Sequence, residues 1–110
     1  MIASRIHKST GSGAVDIEIA RPQQFYVSEV RLTLSEGCSD LGDFTVIVDS
    51  ELGSDFDHLL ATPDPDEDLT VVTSFRYADT AHPVLFPGDV LAIAWPNTDS
   101  VTWAVEVIGY

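Results

Sequence analysis

A chain of 110 residues, 45% hydrophobic and carrying five Phe, three Tyr and two Trp, suits one domain with an ordinary core and is too apolar for a disordered segment. Its formal net charge of −13, from five Lys and Arg against 18 Asp and Glu, disfavours nucleic acid and anionic membranes as partners. A single cysteine allows no internal disulfide, and no apolar run approaches the roughly 18 residues that a membrane-crossing helix needs.

Residues 1–13 are polar and carry Arg5, His7 and Lys8 with no apolar block behind them, so they read as a flexible basic arm and not as a secretory signal. Residues 14–110 read as a single β domain. Apolar residues recur at period two, the spacing that puts every second side chain on one face of a strand. Val15, Ile17 and Ile19 alternate with Asp16 and Glu18, and Val30, Leu32 and Leu34 with Glu29, Arg31 and Thr33. Phe44, Val46 and Val48 continue the pattern. A short helical turn around Ser54 to Leu59 is the one place where helix is expected, and residues 58–62 form a shorter strand candidate. Leu69, Val71, Thr73 and Phe75 follow, then the brief apolar piece Val84 to Phe86. Leu91, Ile93 and Trp95 make one face of the next run, and Val101, Trp103, Val105 and Val107 one face of the last. Glu36-Gly37, Leu52-Gly53, Pro87-Gly88 and Pro96-Asn97 punctuate these runs. About eight strands at this spacing predict an all-β, antiparallel two-sheet sandwich, jelly-roll-like in style. Alternation assigns faces, however, and leaves strand order open.

The last two strands invite a finer expectation. If they form a hairpin, a five-residue loop from Pro96 to Ser100 pairs Trp95 with Val101 and Ile93 with Trp103. The opposite face of that hairpin then carries Val90, Ala92, Ala94, Thr102, Ala104 and Ile108, a smooth, weakly apolar patch. Either it is a solvent face of small residues or a neighbouring subunit covers it.

Charge is unevenly placed. Arg5, Lys8, Arg21 and Arg31 stand against Asp16, Glu18 and Glu29 in residues 1–31, whereas residues 32–110 hold the other 15 acids against Arg76 alone. The plain reading is a solvated, soluble surface. The sharper one is that Arg5 and Lys8 of one copy dock on an acidic face of the next.

Signatures of catalysis are missing from the sequence: no Gly-rich phosphate loop, nucleophile elbow, helical histidine pair or paired cysteines. His7, His58 and His82 are far apart and read as surface histidines. Cys38 sits between Glu36 and Asp40, neighbours that oppose a reactive thiolate. Asp49, Glu51, Asp55 and Asp57, backed by Asp64, Asp66, Glu67 and Asp68, offer hard oxygen ligands, but their spacing departs from a calcium loop, so no metal or other cofactor is expected. Trp95 and Trp103 alternate with aliphatic residues and belong to the core, leaving Tyr26, Tyr77 and Tyr110 as scattered candidates for stacking on sugars.

The run Pro87-Gly88-Asp89-Val90-Leu91-Ala92-Ile93-Ala94-Trp95-Pro96-Asn97-Thr98, with Thr102 to Val107 behind it, resembles the C-terminal end of a group of short proteins encoded among the virion structural genes of tailed bacteriophages and prophages. Val30 to Leu34 and Phe44 to Ser50 occur there in similar order, so the resemblance covers roughly residues 25–110. The Trp-Pro-Asn-Thr turn is its most specific element and marks a fold, not a reaction. The resemblance implies a non-enzymatic virion protein. The leading expectation is a head decoration (cement) protein that binds the major capsid protein on the capsid exterior as a homo-oligomer, a trimer suiting the lattice. The alternative is a tail or fibre module that binds host carbohydrate.

Overall fold

The computed structural model describes residues 4–37, 44–53, 55, 57–61, 72–76 and 82–110. Cys38, Asp64, Asp66, Glu67, Asp68, Leu69, Val71 and Tyr77 lie outside the described residues. Among the described residues the elements are nine strands: β1 (Ser4–Gly11), β2 (Val15–Ile19), β3 (Phe25–Leu34), β4 (Thr45–Asp49), β5 (His58–Ala61), β6 (Val72–Arg76), β7 (Val84–Leu85), β8 (Val90–Trp95) and β9 (Trp103–Gly109). The turn expected around Ser54 to Leu59 gives way to strand by His58, and residues 54 and 56 are outside the described set.

One sheet runs β1-β9-β3-β6, with the short β7 added beside β3; the other runs β2-β8-β4-β5, and every pairing is antiparallel. Setting β7 aside, the chain changes sheet at each step from one strand to the next except between β4 and β5. That order is the jelly roll, a double-sheet answer to the exposed-edge problem. The expected all-β sandwich is therefore present, with its strand order now defined.

Alternation explains the core. Val15, Ile17 and Ile19 of β2 and Leu91, Ile93 and Trp95 of β8 point inward from one sheet. Val30, Leu32 and Leu34 of β3 and Trp103, Val105 and Val107 of β9 meet them from the other. Trp95, only 1% exposed, is the largest fully buried side chain. Burying a large apolar side chain contributes about 1.5–3 kcal/mol relative to leaving it in water, so these two facing rows supply most of the driving force.

Two expectations are corrected here. Residues 4–11 are not a free arm: they form β1, paired with β9 from Ser4↔Gly109 to Gly11↔Trp103. Their inner positions hold Ile6, His7 and Ser9, half-buried and mostly polar, so the segment carries no apolar alternation to announce a strand. It is backbone pairing to β9 that holds them. Nor do β8 and β9 form a hairpin. They belong to different sheets and face each other across the core. Both put the expected residues inward, but the connection between them is an arch. Asn97 (φ 51°) and Ser100 (φ 53°) adopt left-handed conformations to build it, and the Ser100 amide donates to the Asn97 carbonyl at 3.0 Å.

Asn97 locks that arch. It is 3% exposed, and its Nδ2 donates to the carbonyls of Ser12 (3.1 Å), Gly13 (2.8 Å) and Val101 (2.9 Å) while Oδ1 accepts from the Val101 amide (3.0 Å). Trp103 Nε1 donates to the Gly13 carbonyl as well, at 2.8 Å. One buried amide thus ties the β1–β2 turn to the β8–β9 arch. This is the physical role of the Trp-Pro-Asn-Thr turn.

Candidate functional site

The end of the roll opposite Asn97 gathers the starts of β1, β3, β5 and β8 and the ends of β2, β4 and β9. Two hollows open there. The first, about 310 Å3, is lined by Val48, Ser50, Glu51, Leu52, His58, Val84, Phe86, Pro87 and Asp89. Its loops are braced. The buried Asp89 carboxylate accepts the amides of Glu51 (3.1 Å) and Phe86 (3.0 Å), tying the β4–β5 loop to the β7–β8 turn, and Asp57 accepts the Ser50 amide at 2.8 Å. Gly88 (φ 96°) allows the turn, and the Glu51 side chain occupies the space that a Cβ there would need. On this frame Leu52 stands 76% exposed and Phe86 55% exposed.

The second hollow, about 280 Å3, is lined by Ser4, Arg5, Ile6, Arg21, Gln23, Gln24, Phe25, Gly109 and Tyr110. Beside it the backbones of Tyr26 and Tyr110 exchange two hydrogen bonds, at 2.7 and 3.0 Å. Their rings stack at 5.2 Å between centroids, inclined by 25°. Gln24 Nε2 donates to the Tyr26 hydroxyl at 2.8 Å, and the Tyr110 hydroxyl lies 2.7 Å from His82 Nδ1. Arg21 lies over the Phe25 ring, 5.8 Å from its centroid. Tyr26 and Tyr110 are 84 positions apart in sequence, which is why they read as scattered; antiparallel pairing of the start of β3 with the end of β9 brings them together.

Arg5 and Lys8 sit in β1 on the outer face of the first sheet, opposite Ile108 and Glu106. Lys8 reaches Glu106 at 3.9 Å, and Arg31 and Arg76 both reach Glu29, at 3.0 and 3.5 Å. The smooth patch is divided. Val90, Ala92 and Ala94 lie on the outer face of the second sheet, beside Asp49, Ile47 and Glu18, and Asp16. Thr102 and Ala104 lie at the other sheet, in a shallow depression with Thr10 and Thr33. The two outer faces therefore differ in sign. On the strands, Arg5, Lys8, Arg31 and Arg76 outnumber Glu29 and Glu106 on one, and Asp16, Glu18 and Asp49 mark the other, where exposed Leu59 stands next to Ile47.

Among the described residues no group of three or more His, Cys, Asp or Glu is placed to hold a metal ion. Asp57 and Asp89 instead serve as loop caps. His7 is half-buried in β1 with its Nε2 lacking a hydrogen-bond partner among the described residues, unlike the plain surface histidine expected.

No family model matches the chain, and no curated protein does. Among solved structures it is similar to the Aeromonas sobria serine protease, seen with its chaperone ORF2 (TM-score 0.41) and by itself (TM-score 0.38), at 10% identity in each case. The whole of this chain aligns, but it spans only 27% and 28% of those chains, so the likeness carries no functional argument.

Proposed function

We propose that this chain is a non-enzymatic structural protein of a bacteriophage virion, a head decoration protein that binds the exterior of the capsid shell and stabilises it. The observation that carries the reading is the pair Leu52 and Phe86, two large apolar side chains held out in water by loops braced through Asp89. Contiguous apolar surface on a rigid frame is the usual mark of a docking site, because burying it in a partner recovers free energy without ordering a loop. On this reading the partner is the major capsid protein, in keeping with the resemblance of residues 25–110 to proteins encoded among virion structural genes. Binding across subunit boundaries would stabilise the shell by mass action. The oppositely signed outer faces suit head-to-tail contacts between copies, which close into rings, a trimer among them, when the rotation allows.

The test is co-sedimentation with capsids lacking this chain. The wild-type protein should pellet with the shells and raise their thermal stability, and Leu52→Ser/Phe86→Ser should stay in the supernatant while keeping its own melting temperature. Equal binding by the double variant would remove the docking surface from the account.

A second reading has its own observation. The Tyr26–Tyr110 stack with Gln24 and His82 is an ordered polar-aromatic rim of the sort that holds sugars, and jelly rolls serve lectins as well as capsids. On this reading the chain is a tail or fibre module for host carbohydrate, and a glycan array is its direct test.

A further inference from the structure

We infer that the hollow bounded by Arg5, Arg21, Gln23, Gln24 and Tyr110 is a subsite for a carboxylate-bearing saccharide unit, such as a uronic or sialic acid. The inference rests on the carbohydrate reading and gives it a ligand chemistry.

Electrostatics comes first. In a chain of net charge −13 most cations should be claimed by carboxylates, and three of the five are: Lys8 by Glu106, and Arg31 and Arg76 by Glu29. Among the described residues Arg5 and Arg21 have no acidic partner, and both line this one hollow. No Asp or Glu lines it. Two arginines on the lining of one recess, neither held by an Asp or Glu among the described residues, make a site for an anion, and a planar carboxylate matches the paired donors of a guanidinium.

The remaining lining narrows the anion to a sugar acid. Gln23 and Gln24 offer amide donors and acceptors of the kind that pair with hydroxyls. Tyr110 lines the hollow while Tyr26, which does not, stacks on it and holds it. The Tyr110 hydroxyl is engaged with His82 and its backbone with Tyr26, so the aromatic wall is ordered before any ligand arrives. With Tyr26 stacked on it, Tyr110 belongs to a mainly polar lining whose amide groups suit a hydroxylated ligand better than an inorganic anion. A volume of about 280 Å3 suits a single ring with its substituents, the rest of a glycan extending into solvent.

The experiment is titration of the full-length chain, followed by amide NMR shifts, with four probes: digalacturonate, sialyllactose, lactose and inorganic phosphate. At least one of the two acidic saccharides should bind, shifting residues 21–26 and 109–110, with lactose and phosphate far weaker. Arg21→Gln should weaken that binding about tenfold or more, the worth of one charged hydrogen-bonded contact. Arg31→Gln, which alters a cation outside the hollow, should leave it unchanged. Arg21 is exposed, so its variant keeps the fold, and an unchanged melting temperature verifies this. Lactose binding as tightly as the acidic sugars would overturn the inference while leaving the carbohydrate reading intact. Phosphate binding as tightly would reduce the site to a general anion site and overturn it. No shift with any probe at millimolar concentration, or an unweakened Arg21→Gln, overturns it as well.

Discussion

Asn97→Asp is a nearly isosteric change that isolates the polar lock between the two turns. The wild-type amide nitrogen faces three carbonyl oxygens, those of Ser12, Gly13 and Val101, and the side chain is almost wholly buried. In the variant those carbonyls lose the Asn97 donor and meet a carboxylate instead, Gly13 keeping only the Trp103 indole, while the Val101 amide keeps its acceptor. Stranding a buried polar group costs about 1–3 kcal/mol, and solvent can reach the exposed Ser12–Gly13 turn to offset part of it. We expect a net loss of about 3 kcal/mol at pH 7, or a fall in Tm of roughly 12 °C for a domain of this size. The penalty has a definite pH signature. Burial against three carbonyls raises the folded-state pKa of the new carboxyl above its unfolded value of about 3.9. A raised acid loses nothing below its unfolded pKa and is increasingly destabilising as pH rises towards its folded pKa. The difference from wild type should therefore shrink as pH falls from about 6 to 4, by about 1.4 kcal/mol per unit of the shift. Urea denaturation of both proteins across that range is the assay. A pH-independent difference, or a loss below about 0.5 kcal/mol at pH 7, would refute this account of the arch.

Other substitutions probe the rest of the frame. A Cβ on Gly109 would strike the Tyr26 carbonyl, so Gly109→Ala should cost about 2–3 kcal/mol by thermal denaturation, whereas Gly13, with open space around it, should tolerate alanine to within about 0.5 kcal/mol. His7→Leu removes a buried nitrogen without a partner among the described residues and should stabilise the protein by about 1 kcal/mol in urea melts. Deleting residues 1–11 should expose the β9 backbone and Trp103 to water; hydrogen exchange along residues 103–109 should accelerate and tryptophan fluorescence shift to the red, whatever the state of assembly.

Which parts of this architecture are legible in the sequence follows from the physics of strands. Period-two alternation reports which face of a strand is buried, and the inward set from Val15 through Val107 is readable on that basis. Sheet membership is not encoded in alternation. Leu91, Ile93 and Trp95 would be equally buried in a hairpin with β9 or across the core from it, and the jelly roll takes the second course. β1 is hidden for a different reason. An edge strand whose inner positions are His7 and Ser9 has almost no apolar periodicity and is recognised only by its hydrogen bonds. The binding surfaces are still less legible. Tyr26 meets Tyr110, and Arg5 shares a hollow with Arg21, through long-range pairing that no local pattern announces, and the division of the Ala92–Ala104 patch follows from the same topology. What sequence did contain was the Trp-Pro-Asn-Thr turn as a fold marker, and the buried amide of Asn97 supplies its reason.

The central claim, that this chain decorates a virion head, is tested most directly by cryo-electron microscopy of the particle that contains it. The account predicts many ordered copies of the jelly roll over the capsid exterior, with Leu52 and Phe86 buried against the shell and differently charged faces meeting between copies. Density confined to the tail or a fibre tip would contradict it, and would move attention to the arginine-lined hollow and the tyrosine stack as the working surface.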